Sequence, residues 1–312
     1  MVDVKTHPEG HCTALGMQWN TTSDELSYKL TLKKDVPQIT KRTILSDIAS
    51  LFDPLGLLAP IIMRAKIFMQ SLWLGTFGWD DEIPSELSQE WRAIKSMLMI
   101  GTNIKIPRWV GFKKLNKQVS MHGFSDASIK IYAAAIYLRT EYEDGTVEIH
   151  LLTSKTKSAP LKQISIPRLE LCAAVLLAQL LKKVKIALNL PECSIHAWTD
   201  SAVALAWIAT PSHKLKPFVA NRVSMIQELI AAENWRYVKS ADNPADCATR
   251  CEYAGELVSL TRWWNGPTFL QQSSEQWPKT PPNMLKKLPE LKTKTEAIMH
   301  IETETQNELL NR

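Results

Sequence analysis

The sequence predicts a mixed α/β protein: a layered sheet-and-helix unit in the second half, preceded by a mainly helical region. Two observations carry that expectation. From residue 119 the segments read as three antiparallel strands, a helix, a strand, two helices, a strand and a short helix. Between residues 41 and 99, three segments repeat apolar residues at helical spacing.

In chain order, Leu15–Trp19 and Leu26–Leu30 read as short strands on either side of a turn-rich stretch, residues 20–24. Thr43–Phe52 is the first expected helix, with apolar residues at i, i+1, i+4, i+7 and i+8. Asp53-Pro54-Leu55-Gly56 ends it with a turn. Pro60–Leu74 and Ser85–Met99 are the second and third helices, the third with Glu86, Glu90, Arg92 and Lys95 on its wet face, and Trp79–Pro84 is the loop between them. Strands are expected at Val119–Phe124, Tyr132–Leu138 and Val147–Leu152, with Glu143-Asp144-Gly145 as a hairpin turn. A loop with Lys155, Lys157 and Lys162 leads into a helix at 166–181. It is apolar on nearly every face, so it should be buried. The remaining elements are a strand at Ser194–Thr199, helices at Ser201–Ile208 and about 216–232, a strand at Trp235–Lys239, and a turn, Asn243-Pro244-Ala245-Asp246, that opens a short helix. Past about Trp277 the tail is rich in proline and charge, and little packed structure is expected there.

The chain's 312 residues allow two domains, or one with extensions. With 45% hydrophobic and 22% charged residues, the composition is that of an ordinary globular protein. The net charge of +5 pulls only weakly toward an anionic partner. Eleven Trp along most of the chain read first as core residues. Five scattered Cys suit a reducing compartment, and Cys247 and Cys251 have neither the spacing nor the paired His of a zinc site. No secretion signal and no membrane-spanning run is visible, so a cytoplasmic location without membrane contact is expected.

The stretch from Gly101 to Ser125 holds no acid but carries Lys105, Arg108, Lys113, Lys114 and Lys117, with Trp109 and Phe112 among them. Basic residues interleaved with aromatics suit a nucleic-acid backbone, and a solvated linker has the same composition.

Four acids stand at strand ends or helix starts: Asp126, Glu170, Asp200 and Asp246. Each has an ordinary explanation: Asp126 as a turn residue, Glu170 and Asp246 as first-turn partners of a helix dipole, Asp200 as a cap. Taken together they suit another purpose. If the first and fourth strands lie side by side, Asp126 and Asp200 meet, with Glu170 at the neighbouring helix start. Such like charges stay ionised only with cations, and all-oxygen ligands favour Mg²⁺ or Mn²⁺.

Phe124-Ser125-Asp126-Ala127-Ser128, Pro167-Arg168-Leu169-Glu170-Leu171, Thr199-Asp200-Ser201 and Asn243-Pro244-Ala245-Asp246 resemble the four motifs of a retroelement ribonuclease H domain. Residues 51–60 and Gln70-Ser71-Leu72-Trp73 resemble the segment downstream of the polymerase palm in BEL/Pao retrotransposon polyproteins, a region also labelled the Pao retrotransposon peptidase family. The resemblance runs from about Gly16 to Leu270 and implies a ribonuclease H-like mixed sheet with flanking helices. Its implied divisions are a reverse transcriptase thumb/connection-like region at 1–100, a basic linker at 101–118, a ribonuclease H-like domain at 119–255, and a C-terminal extension at 256–312, largely disordered after about 278. It also implies that Asp126, Glu170, Asp200 and Asp246 hold two Mg²⁺ (or Mn²⁺) ions for cutting the RNA strand of an RNA–DNA hybrid. Ser201 matches a position close to the hybrid backbone, and Arg168, Lys155, Lys157 and Lys162 join the basic stretch as nucleic-acid contacts. The partners implied are the hybrid, an upstream polymerase palm and a downstream integrase, in a cytoplasmic retrotransposon particle with possible nuclear access.

Two departures from the family pattern stand out. No His lies between Trp235 and Asp246, and Thr249-Arg250-Cys251 replaces an expected Ser-Arg-Gly. The aspartate pair of a polymerase palm is absent, so no polymerase activity is expected of what reads as a polyprotein fragment. The rival readings are a non-catalytic nucleic-acid-binding remnant and an aspartic peptidase. The peptidase would need Asp-Thr-Gly or Asp-Ser-Gly loops, and Asp200-Ser201-Ala202 is the nearest approach.

Overall fold

The computed structural model describes residues 11–14, 16–28, 38–111, 116–250, 254–279, 285 and 287–292. Strands β1 (His11–Ala14), β2 (Met17–Asn20) and β3 (Glu25–Tyr28) form an antiparallel meander. In the β2–β3 turn, Asn20 Oδ1 accepts from the Thr22 and Ser23 amides at 2.9 and 3.1 Å. The expected strands at Leu15–Trp19 and Leu26–Leu30 are thus found shifted by a residue or two, with Leu15, Lys29 and Leu30 outside the described residues.

Helix α1 (Lys41–Ser50) starts before the expected Thr43 because Thr40 and Thr43 cap it reciprocally. The Thr43 amide donates to Thr40 Oγ1 at 3.2 Å, and the Thr40 amide donates to Thr43 Oγ1 at 2.9 Å. Helices α2 (Ala59–Leu72) and α3 (Ser85–Ile100) follow. Lys95 is not on the wet face: it lies 3.3 Å from the buried carboxylate of Asp47, a charge that burial would otherwise leave unpaired. Trp73, Trp79 and Trp109 are also exposed, so the tryptophans are not all core residues.

Strand β4 (Lys105–Pro107) pairs with β3, so the basic stretch begins as a sheet edge and not as a plain linker.

The second sheet has five strands: β5 (Asn116–Ala127), β6 (Ile131–Tyr142), β7 (Val147–Ser158), β8 (Ser194–Thr199) and β9 (Trp235–Tyr237). Its order is β7-β6-β5-β8-β9, with the β7-β6-β5 pairs antiparallel and the β5-β8-β9 pairs parallel. Strand β7 runs six residues beyond the expected end, which places Lys155 and Lys157 on a strand rather than in a loop.

Helices α4 (Ile166–Ala187), α5 (Ala202–Ile208) and α6 (Pro217–Leu229) cover one face. Leu169, Leu171, Leu176, Leu177 and Leu181 of α4 are buried, each contributing about 2 kcal/mol of hydrophobic burial. Gly123 on β5 lets α4 approach: a Cβ there would lie 2.5 Å from Leu177 Cδ1.

The other face is built differently. Phe124, Tyr137 and Trp198 pack into one continuous core with Leu57, Leu58 and Ile61 from the first half, and with Trp263 near the chain's end. Short helices α7 (Ala245–Arg250) and α8 (Thr261–Asn265) lie on this side. Trp263 Nε1 donates to Leu57 O at 2.9 Å, and the Tyr137 hydroxyl donates to Trp263 O at 2.7 Å. The turn after α1 docks directly on β7, where Leu55 O accepts from the Ser154 amide (2.8 Å) and from Thr153 Oγ1 (2.7 Å). Gly56 has φ +70°, and a Cβ would stand 2.1 Å from Ser154 O, so only glycine fits this joint.

Within the tail past residue 278, residues 287–292 are packed where little structure is expected, and 280–284, 286 and 293–312 lie outside the described residues. Leu291 forms a β-bridge with Leu215, and residues 287–292 lie against the helical face. Among the described residues, no helix is long and apolar enough to cross a membrane.

Candidate active site

The parallel pairing of β5 with β8 decides where the acids meet. Ser125 is in register with Thr199, so Asp126 and Asp200 follow at the same end of neighbouring strands. Helix α4 brings Glu170 and α7 brings Asp246 to that end. Asn243 ties the group together: its Nδ2 donates to Ser125 O at 3.0 Å and to Asp200 Oδ1 at 3.4 Å, while its Oδ1 accepts from the Ala245 amide at 3.2 Å.

All four carboxyls are pushed above the ordinary carboxylate range, with burial as the first cause in each. Asp126 is raised to about 7 by burial and then by repulsion from Asp200 and Asp246, against a lowering hydrogen bond from Thr249. Repulsion from Asp200 also raises Glu170 and Asp246. Asp200 is thus the electrostatic hub. Its own rise is opposed by hydrogen bonds from Ser240 and Asn243.

Each of the other acids also has a protein partner. Thr249 Oγ1 donates to Asp126 Oδ2, and Ser201 Oγ donates to Glu170 Oε2. Arg250 Nε lies 2.5 Å from Asp246 Oδ1, and its charge holds back the rise of that carboxyl. Arg262 Nη2, from α8, stands 3.8 Å from Asp246 Oδ2.

Three of the ordinary explanations fail here: Asp126 is no turn residue but lies within β5, paired with Ala133. Glu170 is the fifth residue of α4, past the first turn, because Ile166 precedes Pro167 in the helix. The helix dipole is weak at that depth. Asp200 caps nothing: the N-cap of α5 is Ser201, whose Oγ accepts from the Ala204 amide at 3.1 Å. Asp246 does stand in the first turn of α7.

Several expected nucleic-acid contacts have other partners. Ser201 is buried, its hydroxyl shared between Glu170 and the α5 cap. Arg108 pairs with Asp24 at 2.6 Å and lies 4.9 Å from the Trp19 ring. Arg168 pairs with Glu290. Lys113, Lys114 and the side chain of Lys117 lie outside the described residues. Lys105, Lys155, Lys157 and Lys162 are exposed. Lys155 and Lys157 flank Thr156, which lies in the same cross-strand row as Ala133 and Asp126.

Thr249, Arg250 and Arg262 are not among the site residues expected from the sequence. Arg250 has a readable signal there, since it stands four residues after Asp246 on one helix. Arg262 has none, because only tertiary packing brings α8 to the site.

An all-oxygen set of carboxyls, two buried and two half-buried, three of them raised by repulsion from another, has the chemistry of a hard divalent-cation site. Among the described residues, no three His, Cys, Asp or Glu side chains are drawn together into a ready-made cage. The acids are instead turned toward Thr249, Ser201 and Arg250.

A family model described as "Pao retrotransposon-like RNaseH-like domain" matches residues 40–201, more than half of the chain. Comparison with curated proteins gives no match. Similar solved structures include the N-terminal ribonuclease H domain of rv2228c from Mycobacterium tuberculosis, fused to maltose binding protein, at 12% identity over 46% of this chain and 97% of that one, TM-score 0.29. Ribonuclease H1 from the halophilic archaeon Halobacterium salinarum NRC-1 is 14% identical over 45% of this chain and 98% of that one, TM-score 0.28. The foamy viral protease-reverse transcriptase in complex with dsDNA is 14% identical over 74% of this chain and 45% of that one, TM-score 0.23. The fold follows from the strand order and the family match, not from superpositions of this size.

Proposed function

Because this chain belongs to the family of Pao retrotransposon ribonuclease H-like domains, we propose that it hydrolyses the RNA strand of RNA–DNA hybrids during reverse transcription. The observation that carries this reading is the convergence of Asp126, Glu170, Asp200 and Asp246 at one sheet end, coupled through Asp200.

These four side chains would hold two Mg²⁺ or Mn²⁺ ions, which when bound supply an activated water and neutralise the leaving oxygen. The chain's own residues do the rest. The β5–β8 ladder carries Asp126 and Asp200 to the same end of neighbouring strands, and Asn243 donates to Asp200. Ser201 orients Glu170, Thr249 orients Asp126, and Arg250 and Arg262 neutralise Asp246. Lys155, Lys157 and Lys162 would meet the hybrid's phosphates. In this reading residues 1–100 are a thumb/connection-like region, 101–118 a basic connection, 119–255 the nuclease domain and 256–312 an extension. The polymerase palm, an integrase and a cytoplasmic retrotransposon particle belong to the same reading.

The arginine contacts at Asp246 favour a second reading, a nucleic-acid-binding remnant that no longer cuts. A peptidase reading gains nothing, since Ser201 heads a helix and not a flexible turn. Incubating the purified chain with labelled hybrid, with Mg²⁺ and again with EDTA, separates the readings. Metal-dependent cutting of the hybrid, with duplex DNA left intact, is expected. Binding without cutting would favour the remnant.

A further inference from the structure

Residues Lys287–Lys292 cross the start of α6 and reach the beginning of α4 as a strap. The Lys216 amide donates to Glu290 O at 2.8 Å, and the Lys292 amide donates to Lys214 O at 2.9 Å. Trp207 Nε1 donates to Pro289 O at 2.8 Å, and Leu288 packs against the core beneath. These bonds hold Glu290 at φ +62°, a left-handed conformation costly for a residue with a Cβ.

The held conformation delivers the Glu290 side chain to Arg168. Oε1 accepts from Nη2 at 2.6 Å and from Nε at 3.1 Å. The Arg168 guanidinium lies 4.8 Å from the Phe218 ring centre, and Arg222 lies 3.6 Å from the same centre. Two guanidinium groups thus share one aromatic platform, and Arg168 stands two residues before Glu170 in the chain. A guanidinium fork accepts a phosphate as readily as a carboxylate.

We propose that Arg168 is a phosphodiester-binding site whose place is taken, in the free chain, by the Glu290 carboxylate, so that the strap competes with the hybrid backbone. This rests on the nuclease reading and adds to it a named contact and its internal competitor. Both side chains are partly exposed, at 33% and 20%, so the competition is modest.

The test is fluorescence anisotropy of a labelled RNA–DNA hybrid in EDTA, where binding is read without cutting. The full chain is compared with Glu290→Gln, Arg168→Gln and the double variant. Glu290→Gln should bind about threefold to tenfold tighter. Arg168→Gln should bind more weakly, and the double variant should match Arg168→Gln, because without the arginine the glutamate has nothing to block. If Glu290→Gln binds no tighter while the parent binds and cuts hybrid, the competition is overturned and the nuclease reading stands. If no form binds hybrid and the parent does not cut it, both are overturned.

Discussion

Asp126 and Asp200 end paired strands, whereas Glu170 and Asp246 ride on helices. The first pair is placed by the backbone: once Ser125 is in register with Thr199, the next residue of each strand has nowhere else to go. The second pair is brought there by α4 and α7, with Ser201 beside Glu170 and Arg250 and Arg262 beside Asp246. The difference teaches that strand register sets where two of the acids stand while helices carry the other two, with side-chain partners at all four. Substitutions should separate the two halves.

The largest effect is expected at the strand pair. Asp200→Asn keeps the shape and removes the charge that raises the other acids. Hybrid cleavage should fall about a thousandfold or more, with the circular dichroism spectrum unchanged. A variant that cuts like the parent would show that Asp200 is not a member of the centre.

A second effect is on stability against pH. Asp126 is raised from 3.8 to about 7, so between those values the folded chain binds more protons than the unfolded one. The stability contributed by its protonated form is present below pH ~4 and is lost as pH rises through about 7. Melting temperature in EDTA should therefore fall across that window, and Asp126→Asn should flatten the fall. An equal slope in parent and variant would mean that Asp126 is not held in a repelling, buried setting.

The helix-borne half gives a smaller effect. Ser201→Ala removes the donor to Glu170 and the α5 cap together, costing about 1 kcal/mol of stability and about tenfold in cleavage. Ser201→Thr should recover both in a melting scan and a rate measurement. If threonine recovers stability alone, Ser201 serves the cap and not the acid.

The smallest effect lies outside the four acids. Changing Lys155 and Lys157 to Gln should weaken hybrid binding and flatten its dependence on salt by about one unit of log–log slope for each phosphate that a lysine no longer neutralises. An unchanged slope in a salt titration would remove β7 from the hybrid's path.

Much of this centre was legible in the sequence. The strand at Ser194–Thr199 was expected where it is found, its place beside the first nuclease strand was a condition that the β5–β8 pairing meets, and the four acids fell near strand ends and helix starts. What could not be read was set by tertiary packing. Lys95 looks like a wet-face lysine until Asp47 is buried beside it. Arg108 and Arg168 look like free cations until Asp24 and Glu290 arrive from 84 and 122 residues away in the chain. The tail at 287–292 has the composition of a disordered segment, yet it docks through backbone hydrogen bonds that composition does not reveal. The joint at Gly56 likewise depends on Ser154, which local sequence cannot foresee.

The measurement that most directly tests whether the four acids form one cation-dependent centre is calorimetric titration of Mn²⁺ into the parent and into Asp200→Asn. Two bound ions in the parent, with binding abolished or strongly weakened in the variant, is the predicted result. Equal heats in the two proteins, or none in the parent, would contradict it.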